Sequence, residues 1–303
     1  MLRLPALGPR LSAAGVRRGF TLVEILVAFT VLGILGTMFV RIILSQGRFT
    51  DQQNAVRGAR TVSRQALNIL ESELRMVQDS GGIDSVSADG RAIRAFVPFR
   101  FGLYCGVSSG GTVVSMLPVD SLTLAQSVYA GWALRSNAGT YTTILPGTPL
   151  AADAPVPSVD PAQCTGTGAG QAQLRTLSIN GRAGQVLDIR PARAGTIAQP
   201  VFFFQRITYA FQASAAFPGQ WGLYRMVQGG STEELMAPFD STARFRYWTR
   251  GATASVSAAP SLNLIRGVDV VFSARSRYTP MGRSSPSKSA VTASIFFRNV
   301  RSN

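Results

Sequence analysis

Apolar and polar positions follow three different rhythms along this chain. From Phe20 to Val40 they barely alternate: the span holds one charged residue, Glu24, and no charge at all from Ile25 to Val40. A helix apolar on every side needs about 20 residues to cross a hydrocarbon core, and the pattern predicts such a helix here. Beyond Arg41 the rhythm becomes amphipathic. Val56, Ala59, Val62, Ala66, Leu67, Leu70, Leu74 and Val77 recur at helical spacing, with Arg57, Arg60, Arg64, Glu71 and Arg75 in other positions. "DSGG" at 79–82 is a stop signal. One helix is therefore expected from about Phe20 to Gln78, roughly 85 to 90 Å long if continuous.

From Ile83 onward the period shortens. "RAIRAFVPFRF", "SLTLAQSVYAGWAL", "LRTLSING" and "QVLDIRPA" read as strands between Gly, Pro, Asn and Asp breaks. Near the end, "RITYAFQ" and "WGLYRMVQGG" read as a strand pair, "LMAPFDSTARFRYW" as the strand after it, and "LIRGVDVVFSARSRY" and "AVTASIFFRNVRSN" as the last two. Ile207, Tyr209 and Phe211 are expected to face inward, as are Phe245 and Tyr247, and Val268, Val270 and Phe272. Residues 146–173, rich in Pro, Gly and Ala, form a low-complexity loop. The expected fold class is α+β: a long N-terminal helix, 20–78, packed through its second half on a β-rich head, 79–303, with an antiparallel sheet.

Composition narrows the chemistry. With 46% hydrophobic and 15% charged residues over 303 positions, the chain can bury a core. The formal charge is +15, and Lys288 is the one lysine beside the many arginines. Such an excess suits nucleic acid or anionic lipid, but the arginines are scattered, which equally fits a solvated surface. There is no histidine, so His-dependent triads, HExxH metal sites and His proton shuttles are excluded. Gly106-Val-Ser108-Ser-Gly110 fits a nucleophile elbow but lacks a base to activate the serine. Ser285-Pro-Ser-Lys288 fits a Ser–Lys pair but contains Pro286, which disfavours the helix that would present it. No metal, cofactor or catalytic residue is expected. Cys105 and Cys164 are the only thiols. They are a candidate disulfide if the head lies outside the cytoplasm, worth roughly 4 kcal/mol in the chain-entropy model, and two free thiols are the alternative.

The N-terminal segment poses a physical problem. Arg3, Arg10, Arg17 and Arg18 precede the apolar run without an acid among them, which keeps the N-terminus cytoplasmic. No short apolar region with an A-x-A cleavage site is present, so an uncleaved single-pass anchor is the default reading. Glu24 does not fit it, because a carboxylate inside a membrane helix costs a few kcal/mol and marks function. Cutting between Gly19 and Phe20 would create an α-amino group about one helical turn from Glu24. That amine, or a neighbouring subunit's, would offset the cost, and the intermolecular pairing would set a register between packed helices.

"GFTLVE" followed by a long apolar stretch, behind paired arginines, resembles the class III signal of type IV pilins and type II secretion pseudopilins. The resemblance covers residues 17 to about 45. It implies a leader at 1–19 cut by a prepilin peptidase after Gly19, Phe20 as the N-methylated new terminus, and Glu24 as the intersubunit acid. The proline that many major pilins carry after the run is missing, and Gly33, Gly36 and Gly47 are left to loosen the helix. The order of C-terminal strands resembles the PilW/PulJ type of minor pilin, larger members with a β-rich head.

The resemblance implies a structural, non-enzymatic protein of the bacterial inner membrane, its head periplasmic or extracellular. Its partners would be other minor and major pilins, the prepilin peptidase and the inner-membrane assembly platform. A minor type IV pilin that primes or caps assembly is the leading expectation, and a J-type minor pseudopilin of type II secretion is its rival. A DNA-binding pilin is the alternative of another class, suggested by the arginines and by "RFRYW", "RSRY" and "FFRN". In strands, such interleaving more often divides an aromatic core face from a charged surface face.

Overall fold

The computed structural model describes residues 20–79, 81–108, 110–125, 127–136, 141–144, 156–157, 178–179 and 182–297. The leader with Gly19, Cys164, and all of 146–173 except Val156–Pro157 lie outside the described residues. Helix α1 spans Leu22–Leu74. It is followed by β1 (Ile83–Val86), β2 (Ala92–Val107), β3 (Thr112–Met116), helix α2 (Pro118–Ala125), β4 (Gly131–Arg135) and β5 (Tyr141–Ile144). Short strands β6 (Val156–Pro157), β7 (Ser178–Ile179) and β8 (Arg182–Ala183) precede β9 (Gln185–Ile189) and β10 (Pro200–Ala213). The chain ends with β11 (Trp221–Val227), β12 (Thr232–Phe239), β13 (Arg244–Thr249), β14 (Ile265–Arg275) and β15 (Lys288–Phe296).

Two compact units meet at the Asp51/Gln52 boundary. In the first, α1 is exposed all round: Phe29, Leu32, Phe39 and Ile43 all stand in the open. Among the described residues α1 is the one helix long and apolar enough to cross a membrane. Its α-helical pattern runs through Gly33, Gly36 and Gly47 without a break.

In the second unit α1 changes character. Ala55, Ala59, Val62, Ser63, Ala66, Leu70 and Leu74 are buried along one stripe. The alanines let the helix backbone approach the sheet, and the leucines fill the space farther along. Opposite them lie Ile93, Ala95, Ile207, Tyr209, Phe211, Phe245, Tyr247, Val268, Val270 and Phe272, all essentially without solvent contact. The expected inward faces of β10, β13 and β14 are therefore the observed ones. Phe211 packs on Phe239, Phe245 and Phe272 at ring distances of 5.7, 5.2 and 6.2 Å. Arg225 Nε donates to Glu73 Oε2 at 3.2 Å and ties the helix to β11. Burial pushes the Glu73 carboxyl above its ordinary value against the pull of that arginine. A second core forms around Trp132, Tyr129, Phe203, Leu124, Met116 and Ile189, where Trp132 Nε1 donates to Arg190 O at 2.8 Å.

All the pairings are antiparallel, and thirteen strands join one sheet with a main path β13-β14-β12-β11-β10-β2-β3-β9-β6. β10 and β11 form the expected pair, with Phe211 opposite Leu223. Val156 and Pro157 pair with Asp188 and Leu187, so β9 holds the described part of the low-complexity segment.

Three sequence expectations need correction. The long helix ends at Leu74 rather than Gln78. The amides of Met76 and Val77 bond three residues back, to Glu73 O and Leu74 O, a tightened final turn that sends the buried Val77 into the core. "SLTLAQSVYAGWAL" was expected as one strand, but it is helix first and strand only from Gly131. Pro118 and Asp120 favour a helix start, and Ser121 Oγ and Thr123 Oγ1 bond back to Pro118 O and Val119 O. "LMAPFDSTARFRYW" is two strands. At Asp240 the carboxylate accepts from Thr242 N at 3.3 Å while Ala243 N bonds to Asp240 O, and the chain turns.

Asp240 also gathers charge from two other strands: Arg275 Nη2 lies 2.8 Å and Lys288 Nζ 3.0 Å from Oδ2. Its hydrogen bonds from Arg275, then from Lys288, hold the carboxyl well below the usual carboxylate range. A depressed folded-state pKa contributes stability that is complete above the ordinary value of 3.8 and is lost as pH falls below it. Asp240→Asn should therefore lower unfolding free energy by about 2 kcal/mol at pH 7. In urea melts the gap between the two proteins should narrow at pH 3; a gap independent of pH would show that Asp240 acts by shape alone.

Candidate processing and assembly site

The N-terminus of α1 is built from Phe20, Thr21 and Glu24. A helix start leaves its first amides without intrahelical acceptors, and here two side chains supply them reciprocally. Glu24 N donates to Thr21 Oγ1 at 3.3 Å, while Glu24 Oε2 accepts from Thr21 N at 3.0 Å and from Thr21 Oγ1 at 3.1 Å. This is a capping box. It explains why the helix begins at Leu22 and leaves Phe20, 81% exposed, as the residue before the cap. Glu24 Oε1 has no hydrogen-bond partner among the described residues. The same acid stands at the head of an exposed stripe, Val27, Ala28, Val31 and Leu35, at helical spacing. A second apolar helix lying along that stripe would meet the carboxylate at its end.

Sequence reasoning assigned Glu24 to a partner amine and missed its neighbour. The signal was readable: Thr21-Leu-Val-Glu24 before an apolar run is the Ser/Thr-x-x-Glu capping pattern. By magnitude, the cap leaves room for the expected partner as well. Capping contributes about 1 kcal/mol, and a carboxylate in the first turn gains about 0.3–1 kcal/mol from the helix dipole. An acid near the middle of a membrane helix costs about 2.5–3.5 kcal/mol. Glu24 stands in the first turn, away from that middle, and there the local bonds offset part of the cost, while Oε1 has no bond among the described residues that would exclude a cation.

The other candidates are structural. Ser108 Oγ donates to Asp188 Oδ2 at 2.7 Å and accepts from Gly111 N at 2.9 Å, closing the β2–β3 turn. The methyl group an alanine would add at Gly111 would fall 1.7 Å from Asp188 Oδ1, so the turn needs glycine. Lys288 is engaged by Asp240. No group of three His, Cys, Asp or Glu side chains suits a metal among the described residues. Cys105, on β2, is disulfide-bonded. In "RFRYW" Phe245 and Tyr247 are core, and Trp248 Nε1 donates to Asp269 Oδ1 at 2.6 Å.

The family described as a prokaryotic N-terminal methylation motif matches residues 16–40. The chain carries a class III prepilin signal. This match spans the expected cleavage position, Phe20, the Thr21–Glu24 cap and the apolar run, and it supports a type IV pilin or pseudopilin in general, consistent with anchoring through its apolar helix. No curated protein and no solved structure matches the chain.

If Thr21 caps the prepilin helix, Thr21→Ala should speed amide exchange at Glu24 about fivefold in detergent micelles, the equivalent of about 1 kcal/mol. Glu24→Gln should leave that exchange nearly unchanged, since glutamine also completes a capping box. Equal exchange in all three proteins would rule the cap out.

Proposed function

We propose that this protein is a minor type IV pilin, a non-enzymatic filament component that primes or caps assembly. A prepilin peptidase cuts it after Gly19 at the cytoplasmic face of the inner membrane, and Phe20 becomes the methylated terminus. The observation that carries this reading is the methylation motif lying on an apolar helix that no other described residue of its unit covers. A filament of parallel apolar helices supplies the missing cover. It also supplies, from a neighbouring Phe20 amine, a cation for Glu24, which has none among the described residues. The head, from Gln52 on, is large for a repeating shaft subunit, and its bulk suits a terminal position. Its partners in this reading are other minor and major pilins and the assembly platform. The head sits in the periplasm or outside the cell.

Mass spectrometry of the protein recovered from membranes should find N-methylated Phe20 as the first residue, and an intact Met1 would sink the processing. Glu24→Gln should reduce incorporation into sheared filaments at least tenfold while membrane levels stay normal. Wild-type incorporation of that variant would remove the intersubunit role.

A further inference from the structure

Strand β15 closes one side of the sheet, and among the described residues it pairs with β14 alone. Nine consecutive pairs, from Gly267↔Phe296 to Arg275↔Lys288, run without a bulge. Just beyond the two ends, Ser276 N donates to Ser287 O at 2.8 Å and Phe297 N to Arg266 O at 3.0 Å. Antiparallel ladders alternate, so the odd-numbered residues of β15 are those that exchange bonds with β14. The amides and carbonyls of Ala290, Thr292 and Ser294 therefore point outward, and these residues are exposed. Sheet edges are ordinarily blunted by charge, proline or a bulge. β15 has no proline and no bulge, and its one charge, Lys288, is drawn off by Asp240.

Level with Ser289, at the start of β15, and from there toward the N-terminal end of α1, one flank of the helix is strongly basic. Ser63 Oγ lies 3.5 Å from Ser289 O and so identifies the side of the helix that faces β15. At about 100° per residue, Arg60, Arg64 and Arg57 stand roughly 60°, 100° and 120° round from Ser63, on the side away from the buried stripe. All three are exposed, with no carboxylate partner among the described residues. Glu71 on the same flank is taken by Arg75, and Glu73 faces β11 on the other.

We propose that β15 is a docking edge for an extended segment of another protein carrying acidic side chains at alternate positions. Its backbone would continue the ladder on Ala290, Thr292 and Ser294. Where it runs on past Ser289, toward the N-terminal end of α1, its alternate acidic side chains would meet Arg64, Arg60 and Arg57 in turn. A second copy of β15 is a poor occupant: Lys288–Phe296 contains no acid, and pairing would bring two arginine rows together. The inference concerns the head alone and does not depend on the head's place in a filament.

The test uses the full chain in phosphatidylcholine nanodiscs and two fluorescein-labelled ten-residue peptides, one alternating Thr with Glu and one alternating Thr with Lys. Anisotropy should show binding of the glutamate peptide only, about tenfold weaker at 300 mM than at 50 mM salt. Arg57→Gln, Arg60→Gln and Arg64→Gln together should weaken it at least tenfold. Thr292→Pro, which removes an outward amide, should abolish it with the melting temperature retained. Should that variant not fold, the exposed arginine variant still decides. Equal binding of both peptides, binding of neither, or wild-type affinity in the arginine variant would overturn the proposal. So would a concentration-dependent dimer that excludes the glutamate peptide.

Discussion

The contact between the Ala55–Leu74 stripe of α1 and the sheet is the interaction on which the head depends. Strands as distant in sequence as β1 and β15 place side chains against that one helix, among them Ile83, Ile93, Tyr209, Phe245, Val270 and Ile295. A sheet with one bare apolar face is not stable in water, and the stripe covers it. Small residues at 55, 59 and 66 set a close approach, so a larger side chain there would separate helix and sheet along several strands at once. The second core around Trp132 lies where the stripe gives out, and α2 takes over the covering with Leu124.

The same helix meets a different demand in its first half. There every side chain is exposed in the isolated chain, and the one acid is held by its own helix start. In this chain Oε2 of Glu24 closes the cap, and Oε1 has no hydrogen-bond partner among the described residues.

Charge is distributed with the same economy. The acids of the head are mostly spoken for: Asp84 by Arg94 and Arg206, Glu73 by Arg225, Asp240 by Arg275 and Lys288. Part of the excess of arginine stands where no acid among the described residues answers it, and Arg57, Arg60 and Arg64, level with the start of β15 and before it, are the clearest case. A net charge of +15 is thus partly a statement about one flank of one helix.

The sequence by itself determined the elements whose period is local. The uninterrupted apolar run, the stripe after it and the inward alternation of β10, β13 and β14 follow from side-chain spacing, which no distant residue alters. The methylation signal and the Thr21–Glu24 cap are equally local, although the cap was overlooked in favour of a longer-range partner for the same acid. Tertiary structure decided the rest. Leu122 and Leu124 alternate like a strand, but Pro118 and a place over the second core made them a helix. A continuous β run broke at Asp240 because two cations from β14 and β15 wait at that corner. Which arginines stand near the strand that ends the sheet depends on a contact between residues more than two hundred positions apart, Ser63 and Ser289. Periodicity records which face a residue prefers; only the assembled sheet decides what lies across from it.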